Sequence, residues 1–207
     1  MKFFHCMCPP RPGSLSARWR SLVLGILMAV FLPAPAAEPP MGTHADVAYA
    51  RKLWDALTSV ALTGPRARPL KPFFGGAKPH GMILELTHRD LTVGGHSGFL
   101  VLKRNYNGPG VSVAKVAADR ARFLSSITVM YRREKGYDPE NQDLFWVKYR
   151  PDGSLFRNPK GLAMAGRILK GPSPGESRGC IYCHASAGGG DYVFYPEIRV
   201  PGYTQSE

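Results

Sequence analysis

Leu124-Ser125-Ser126-Ile127-Thr128-Val129-Met130-Tyr131 is the stretch that decides the fold class. Ile127, Val129 and Tyr131 fall on one side of an extended chain, and Ser126 and Thr128 fall on the other. That period of two, carried by β-branched and aromatic residues, is the pattern of a strand with one face buried in an antiparallel sheet. Three further runs have the same character: residues 82–87 (MILELT), 98–104 (GFLVLKR) and 144–149 (LFWVKY). Gly94-Gly95 provides a turn before the second of these, and Pro151-Asp152-Gly153 turns the chain after the last. Residues 192–195 (YVFY) suggest a short fifth strand.

Helical patterning flanks these strands. Val47, Ala50, Leu53, Trp54, Leu57 and Val60 recur at spacings of three and four, so residues 43–63 read as an amphipathic helix packed on the core. Thr43 stands at its N-cap position, and Gly64-Pro65 stops it. Residues 113–122 suggest a short helix, and residues 162–170 a helical turn. Residues 66–79 read as loop, punctuated by Pro69, Pro72, Gly75, Gly76 and Pro79. Strands in succession without regular βαβ alternation predict an α+β fold, an antiparallel sheet with flanking helices.

The first 37 residues read differently. Lys2, Arg11, Arg18 and Arg20 precede an apolar run at 21–32, and Ala34-Pro35-Ala36 supplies small residues for cleavage. This is the pattern of a secretory signal peptide, and the apolar run is shorter than the roughly 20 residues of a spanning helix. Residues 38–207 then form a single domain. Loss of the four basic residues lowers the formal charge from +12 to +8. The remaining Lys and Arg are scattered and no binding motif accompanies them, which argues against nucleic acid as a partner. Cys6 and Cys8 are removed with the signal, so the mature chain keeps only Cys180 and Cys183.

Those two cysteines lie in Cys180-Ile181-Tyr182-Cys183-His184, the attachment signature of a c-type haem. Two thiols must reach two vinyl groups on one edge of a porphyrin, and the adjoining histidine then lies beneath the iron as proximal axial ligand. A zinc site needs further ligands from a second paired motif, and none is present in the sequence. A disulfide between Cys180 and Cys183 would close a small, strained loop. A thioredoxin-type site belongs in a βαβ context that the Gly-rich flanks do not suggest. Export agrees with haem attachment and places the protein in the periplasm. The 23 residues after His184 contain no Met, His, Lys or Cys, so a sixth ligand would come from upstream, from among His44, His80, His88, His96, Met41, Met82, Met130 and Met164. Without one, the iron keeps an open distal position.

Small electron-transfer cytochromes carry the motif near their start, and four-helix-bundle cytochromes are helical throughout; neither description suits this chain. The order of segments instead resembles the cytochrome P-460 and cytochrome c′-beta family. The carrying residues are 98–106 (GFLVLKRNY), 127–131 (ITVMY), 136–139 (GYDP), 145–149 (FWVKY), 151–153 (PDG), the haem motif, and 191–194 (DYVF). The resemblance implies a β-rich exported monohaem protein, often a homodimer, with an open axial position on the iron. It also implies one of two activities. Cytochrome c′-beta members bind nitric oxide in an apolar distal pocket. Cytochrome P-460 members oxidise hydroxylamine and carry a lysine cross-linked to the porphyrin. That lysine is expected on the first core strand, 82–87, which has none; Lys103 stands on the next strand and qualifies only under a different register.

The candidate site is therefore Cys180 and Cys183 for one covalent haem c, with His184 as iron ligand. Phe73, Phe74 and Leu86 are candidates for the distal pocket, with satellite core packing the more ordinary role for the two phenylalanines. Glu85 is a candidate proton acceptor for a nitrogen substrate; as an ordinary strand carboxylate it would face solvent. The expected functions are binding of nitric oxide or a similar small nitrogen ligand, oxidation of hydroxylamine with electrons passing to a partner cytochrome, or simple electron carriage.

Overall fold

The computed structural model describes residues 41–167, 180–187 and 192–193. All belong to one of the chain's two compact units, Ala37–Glu207. The signal-peptide segment lies outside the described residues. Among the described residues six strands form one antiparallel sheet in simple meander order: β1 Phe73–Gly75, β2 Ile83–Val93, β3 His96–Tyr106, β4 Leu124–Arg132, β5 Leu144–Tyr149 and β6 Ala165–Gly166. Helices α1 His44–Ser59, α2 Val113–Ala118, α3 Arg120–Phe123 and α4 Cys180–His184 accompany it, so the fold is α+β as expected. Among the described residues no helix is long and apolar enough to cross a membrane.

The alternation of β4 puts Ile127, Val129 and Tyr131 on one face as expected, but the strand is not half-buried: Ser126 and Met130 on the other face are buried as well. Ile127, Val129 and Tyr131 join Leu100, Leu102, Phe145, Val147 and Tyr149 in the main core, beneath Ala50, Leu53 and Leu57 of α1. Tyr149 ties the two layers together, its hydroxyl donating to the Ala50 carbonyl at 2.7 Å. Thr43 caps α1 in a reciprocal box with Asp46: the Asp46 N–H donates to Thr43 Oγ1 at 3.0 Å, and the Thr43 N–H to Asp46 Oδ2 at 3.1 Å. The helix ends four residues before the expected 63, because Ala61 turns left-handed (φ 56°) and the Leu62 N–H returns to the Leu57 carbonyl.

The opposite face of the sheet holds a second core. Val101, Met130, Leu144 and Trp146 pack there against Ile181 of α4, which is fully buried. The sheet is thus a wall with α1 on one side and the Cys-x-x-Cys-His helix on the other.

Several elements depart from the sequence reading. β2 continues to Val93 through His88, Arg89 and Asp90, and a two-residue turn with positive φ at both Gly94 (57°) and Gly95 (89°) leads into β3. The segment 66–79 contains β1, a short edge strand. The helix expected at 113–122 breaks at Asp119, whose carboxylate accepts the Arg122 N–H at 3.1 Å to start α3. No helical turn forms over 162–167: Ala165 and Gly166 pair with Val147 and Trp146 as β6. Residues 192 and 193 are not in a strand. The other residues of those last two expectations, 168–170 and 194–195, lie outside the described residues.

Candidate functional site

Helix α4 carries the whole motif. Ile181 points into the apolar wall and anchors the helix there, while Cys180 is half-buried and Cys183 exposed along it. His184 ends the helix and is buried, 6 % exposed. Its Nδ1–H donates to the Tyr192 carbonyl at 2.7 Å. A carbonyl only accepts, so this bond fixes the proton on Nδ1, which is the tautomer of a histidine that ligates through Nε2. The Trp146 ring stands edge-on to the imidazole with centroids 5.2 Å apart. Burial lowers the basicity of His184, which favours the neutral, ligating form.

A small cleft of about 20 Å³ opens beside this helix, lined by His80, Val101, Lys103, Met130, Trp146, Cys180 and His184 among others. Its floor is the α4-facing side of β3, β4 and β5. Two buried polar atoms on its walls, His80 Nδ1 and Trp146 Nε1, have no hydrogen-bond partner among the described residues. Burial pushes the His80 imidazole down to about 4, with Lys103 adding to the shift. Lys103 is itself buried, and burial lowers its amine below the usual lysine range, with the Cys180 thiol as a weaker opposing influence. Burial also raises the Cys180 thiol. The cleft is mostly apolar, with a few polar groups converging in it.

These residues fit a covalent haem. Two thiols lie three positions apart on one short helix, one buried imidazole is held in the ligating tautomer, and an apolar wall stands opposite. Among the described residues no group of three or more His, Cys, Asp or Glu could hold a bare metal ion. A haem needs less from the chain, since the porphyrin itself supplies the equatorial nitrogens.

The register separates the other candidates. Glu85 pairs with Phe73 on one side and Arg104 on the other, and paired residues share a face. That face is the one beneath α1. Phe73 packs with Ile83, Tyr106, Val116 and Phe123, away from His184. Glu85 is fully buried there and corrects both earlier readings of it: it neither faces solvent nor reaches the cleft. Arg104 Nη1, Arg120 Nε and the Tyr106 hydroxyl each donate to its carboxylate at 2.7 Å, and the Leu70 N–H adds a longer bond at 3.3 Å. Burial alone would raise this carboxyl, but the donors from Tyr106, Arg120 and Arg104 outweigh it and hold the group below the usual range. Glu85 is thus the centre of a structural ion cluster.

Leu86 pairs with Lys103, and Phe74 with Leu84, so both share the α4-side face without lining the cleft. The structure thus brings together Cys180, His184 and Lys103. It adds His80, which sequence reasoning had placed only among eight upstream candidates. No local signal marks His80, because its approach to His184 is purely tertiary.

Compared with known proteins, the chain matches no family model, no curated protein and no solved structure.

Proposed function

We propose that this chain is an exported monohaem c-type cytochrome that binds nitric oxide or a similar small nitrogen ligand. Cys180 and Cys183 would bond the porphyrin, and His184 would hold the iron. The observation that carries the reading is the buried His184 imidazole, which ends the same short helix as Cys180 and Cys183 and donates its Nδ1 proton to the Tyr192 carbonyl. When bound, the haem supplies an iron that takes small diatomic and nitrogenous ligands. The chain's own contribution is the wall of Val101, Met130 and Trp146, which excludes water and disfavours charged ligands. The resemblance to the cytochrome P-460 and cytochrome c′-beta family supports the same assignment, the periplasmic location and a homodimeric assembly.

One observation favours a second reading, hydroxylamine oxidation with electrons passing to a partner cytochrome. Lys103 faces the motif helix and lines the same cleft as Cys180 and His184. The sequence reading discounted it for lying one strand too late, yet a buried amine on this face is where a bond to the porphyrin edge could form.

Absorption spectra of the purified protein, ferric and ferrous, with and without nitric oxide and hydroxylamine, test these readings. Nitric oxide shifting the ferrous Soret band supports the first. Hydroxylamine-dependent reduction of an electron acceptor supports the second. A spectrum indifferent to both compounds contradicts both.

A further inference from the structure

We infer that His80 is the distal axial ligand of the iron, and that an incoming small ligand binds by displacing it. This rests on the haem reading above and deepens it by naming what occupies the far side of the site.

The backbone around His80 is firmly seated. The His80 N–H donates to the Ala77 carbonyl at 2.8 Å, and the next N–H, of Gly81, donates to Asn105 Oδ1 at 3.3 Å. Gly81 lies so close to β3 that a Cβ there would stand 2.5 Å from the Tyr106 nitrogen and 2.7 Å from its oxygen. Only glycine lets the loop approach so closely, and that approach delivers the preceding side chain to the cleft. Asn105 is held in turn, its Nδ2 donating to the Ser126 carbonyl at 3.2 Å. A seated loop thus presents one imidazole toward another.

The ring geometry suits a shared iron. The His80 and His184 centroids are 6.2 Å apart with planes at 83°. A metal–imidazole bond of about 2 Å, added to the radius of each ring, puts two trans imidazole centres roughly 6 Å apart. Two imidazoles on one iron are free to stand with crossed planes. His80 Nδ1 is buried without a hydrogen-bond partner among the described residues, which for a ring nitrogen is a cost unless something binds it. The other donors on the cleft suit the position less well. Met130 packs with Val101, Trp146 and Ile181 in the apolar core, and Lys103 projects from the sheet floor. A loop-borne histidine is also easier to displace than a group on a central strand, because its release breaks no sheet pairing. The apparent affinity for an external ligand is then reduced by the fraction of time His80 is bound.

The test compares wild type, His80→Ala and His80→Gln, each matured with haem, by ferric absorption and electron paramagnetic resonance. The expected result is a low-spin, six-coordinate wild type, and high-spin signals in both variants that return to low spin when imidazole is added. Nitric oxide should also associate with the ferrous variants faster than with wild type, by about tenfold or more. A high-spin wild type overturns the inference, and so does a low-spin signal that persists unchanged in both variants. Either result, with haem still covalently attached, leaves the haem assignment standing. Absence of covalent haem in the wild type overturns both.

Discussion

Replacing Glu85 with alanine removes the carboxylate that neutralises the buried face of β3 beneath α1. Arg104 is 3 % exposed and Glu85 0 %, so their 2.7 Å ion pair is closed to water. Breaking a buried pair by deleting one partner costs about 3–5 kcal/mol, because the other charge is left behind. The Tyr106 hydroxyl loses its acceptor as well, and such a loss costs about 1–3 kcal/mol where the group stays buried. Two features soften the total. Arg104 keeps the Leu62 and Arg68 carbonyls, and Arg120, 25 % exposed, can turn toward solvent. A net loss of about 4 kcal/mol follows, a large share of the roughly 5–15 kcal/mol that holds a domain folded. With a urea slope of about 2 kcal/mol per molar, the unfolding midpoint falls by about 2 M.

Glu85→Gln keeps the shape and loses the charge, so its midpoint should fall about half as far. If the chain carries haem as proposed, the haem spectrum should be unchanged in both variants, since Glu85 lies on the opposite face of the sheet from His184. Acid adds a signed check. The folded carboxyl is held below its ordinary 4.5, so its stabilising contribution is complete above that pH and is lost as pH falls below it. The stability gap between wild type and Glu85→Gln should therefore close on acidification from pH 4.5 downward. A midpoint shift equivalent to under about 1 kcal/mol, or an altered ligand-binding spectrum with stability intact, would refute the assignment of Glu85 to a structural cluster.

Gly98→Ala should destabilise by about 2–3 kcal/mol in the same urea assay, because its Cβ would overlap the Arg132 carbonyl oxygen and stand 3.0 Å from Tyr131 Cζ, prising β3 from β4. Tyr149→Phe should cost about 1 kcal/mol, the worth of the hydroxyl's bond to the Ala50 carbonyl, and a thermal melt should show it as a lowered midpoint. Lys103→Leu should keep its covalent haem, as seen by haem staining after denaturing electrophoresis. If the second functional reading holds, the same variant loses hydroxylamine oxidation, measured with an artificial electron acceptor.

The sheet was legible where apolar residues recur along a strand and missed where they do not. Residues 124–131 place Ile127, Val129 and Tyr131 at every second position toward α1, while Met130 on the other face meets the second core beside α4. The outer half of β2 carries His88, Arg89 and Asp90, which are partly or fully exposed, and such a run has no apolar period to read. β1 is three residues long and sits among prolines and glycines, so only its pairing to β2 reveals it. Glu85 misled for a related reason. On an alternating strand a lone carboxylate reads as exposed, and the donors that bury it come from 19, 21 and 35 residues away. Arg104 and Tyr106, one residue to either side of Asn105, held a usable signal: two polar-tipped side chains on the same face of a strand destined for the core. The Cys-x-x-Cys-His spacing is local to five residues, so the sequence offers it as a pattern, and the haem reading built on it is a proposal. The far side of the cleft was not legible, because His80, Lys103 and Met130 meet only through the fold.

The central claim is that Cys180 and Cys183 hold a haem covalently, and the intact mass of the exported protein under denaturing conditions tests it most directly. The account predicts the mass of the processed chain plus one haem, with both thiols refractory to alkylation and the added mass lost in a Cys180→Ser, Cys183→Ser double variant. A mass equal to that of the bare chain, with both thiols open to alkylation after expression alongside the haem-attachment machinery, would contradict it.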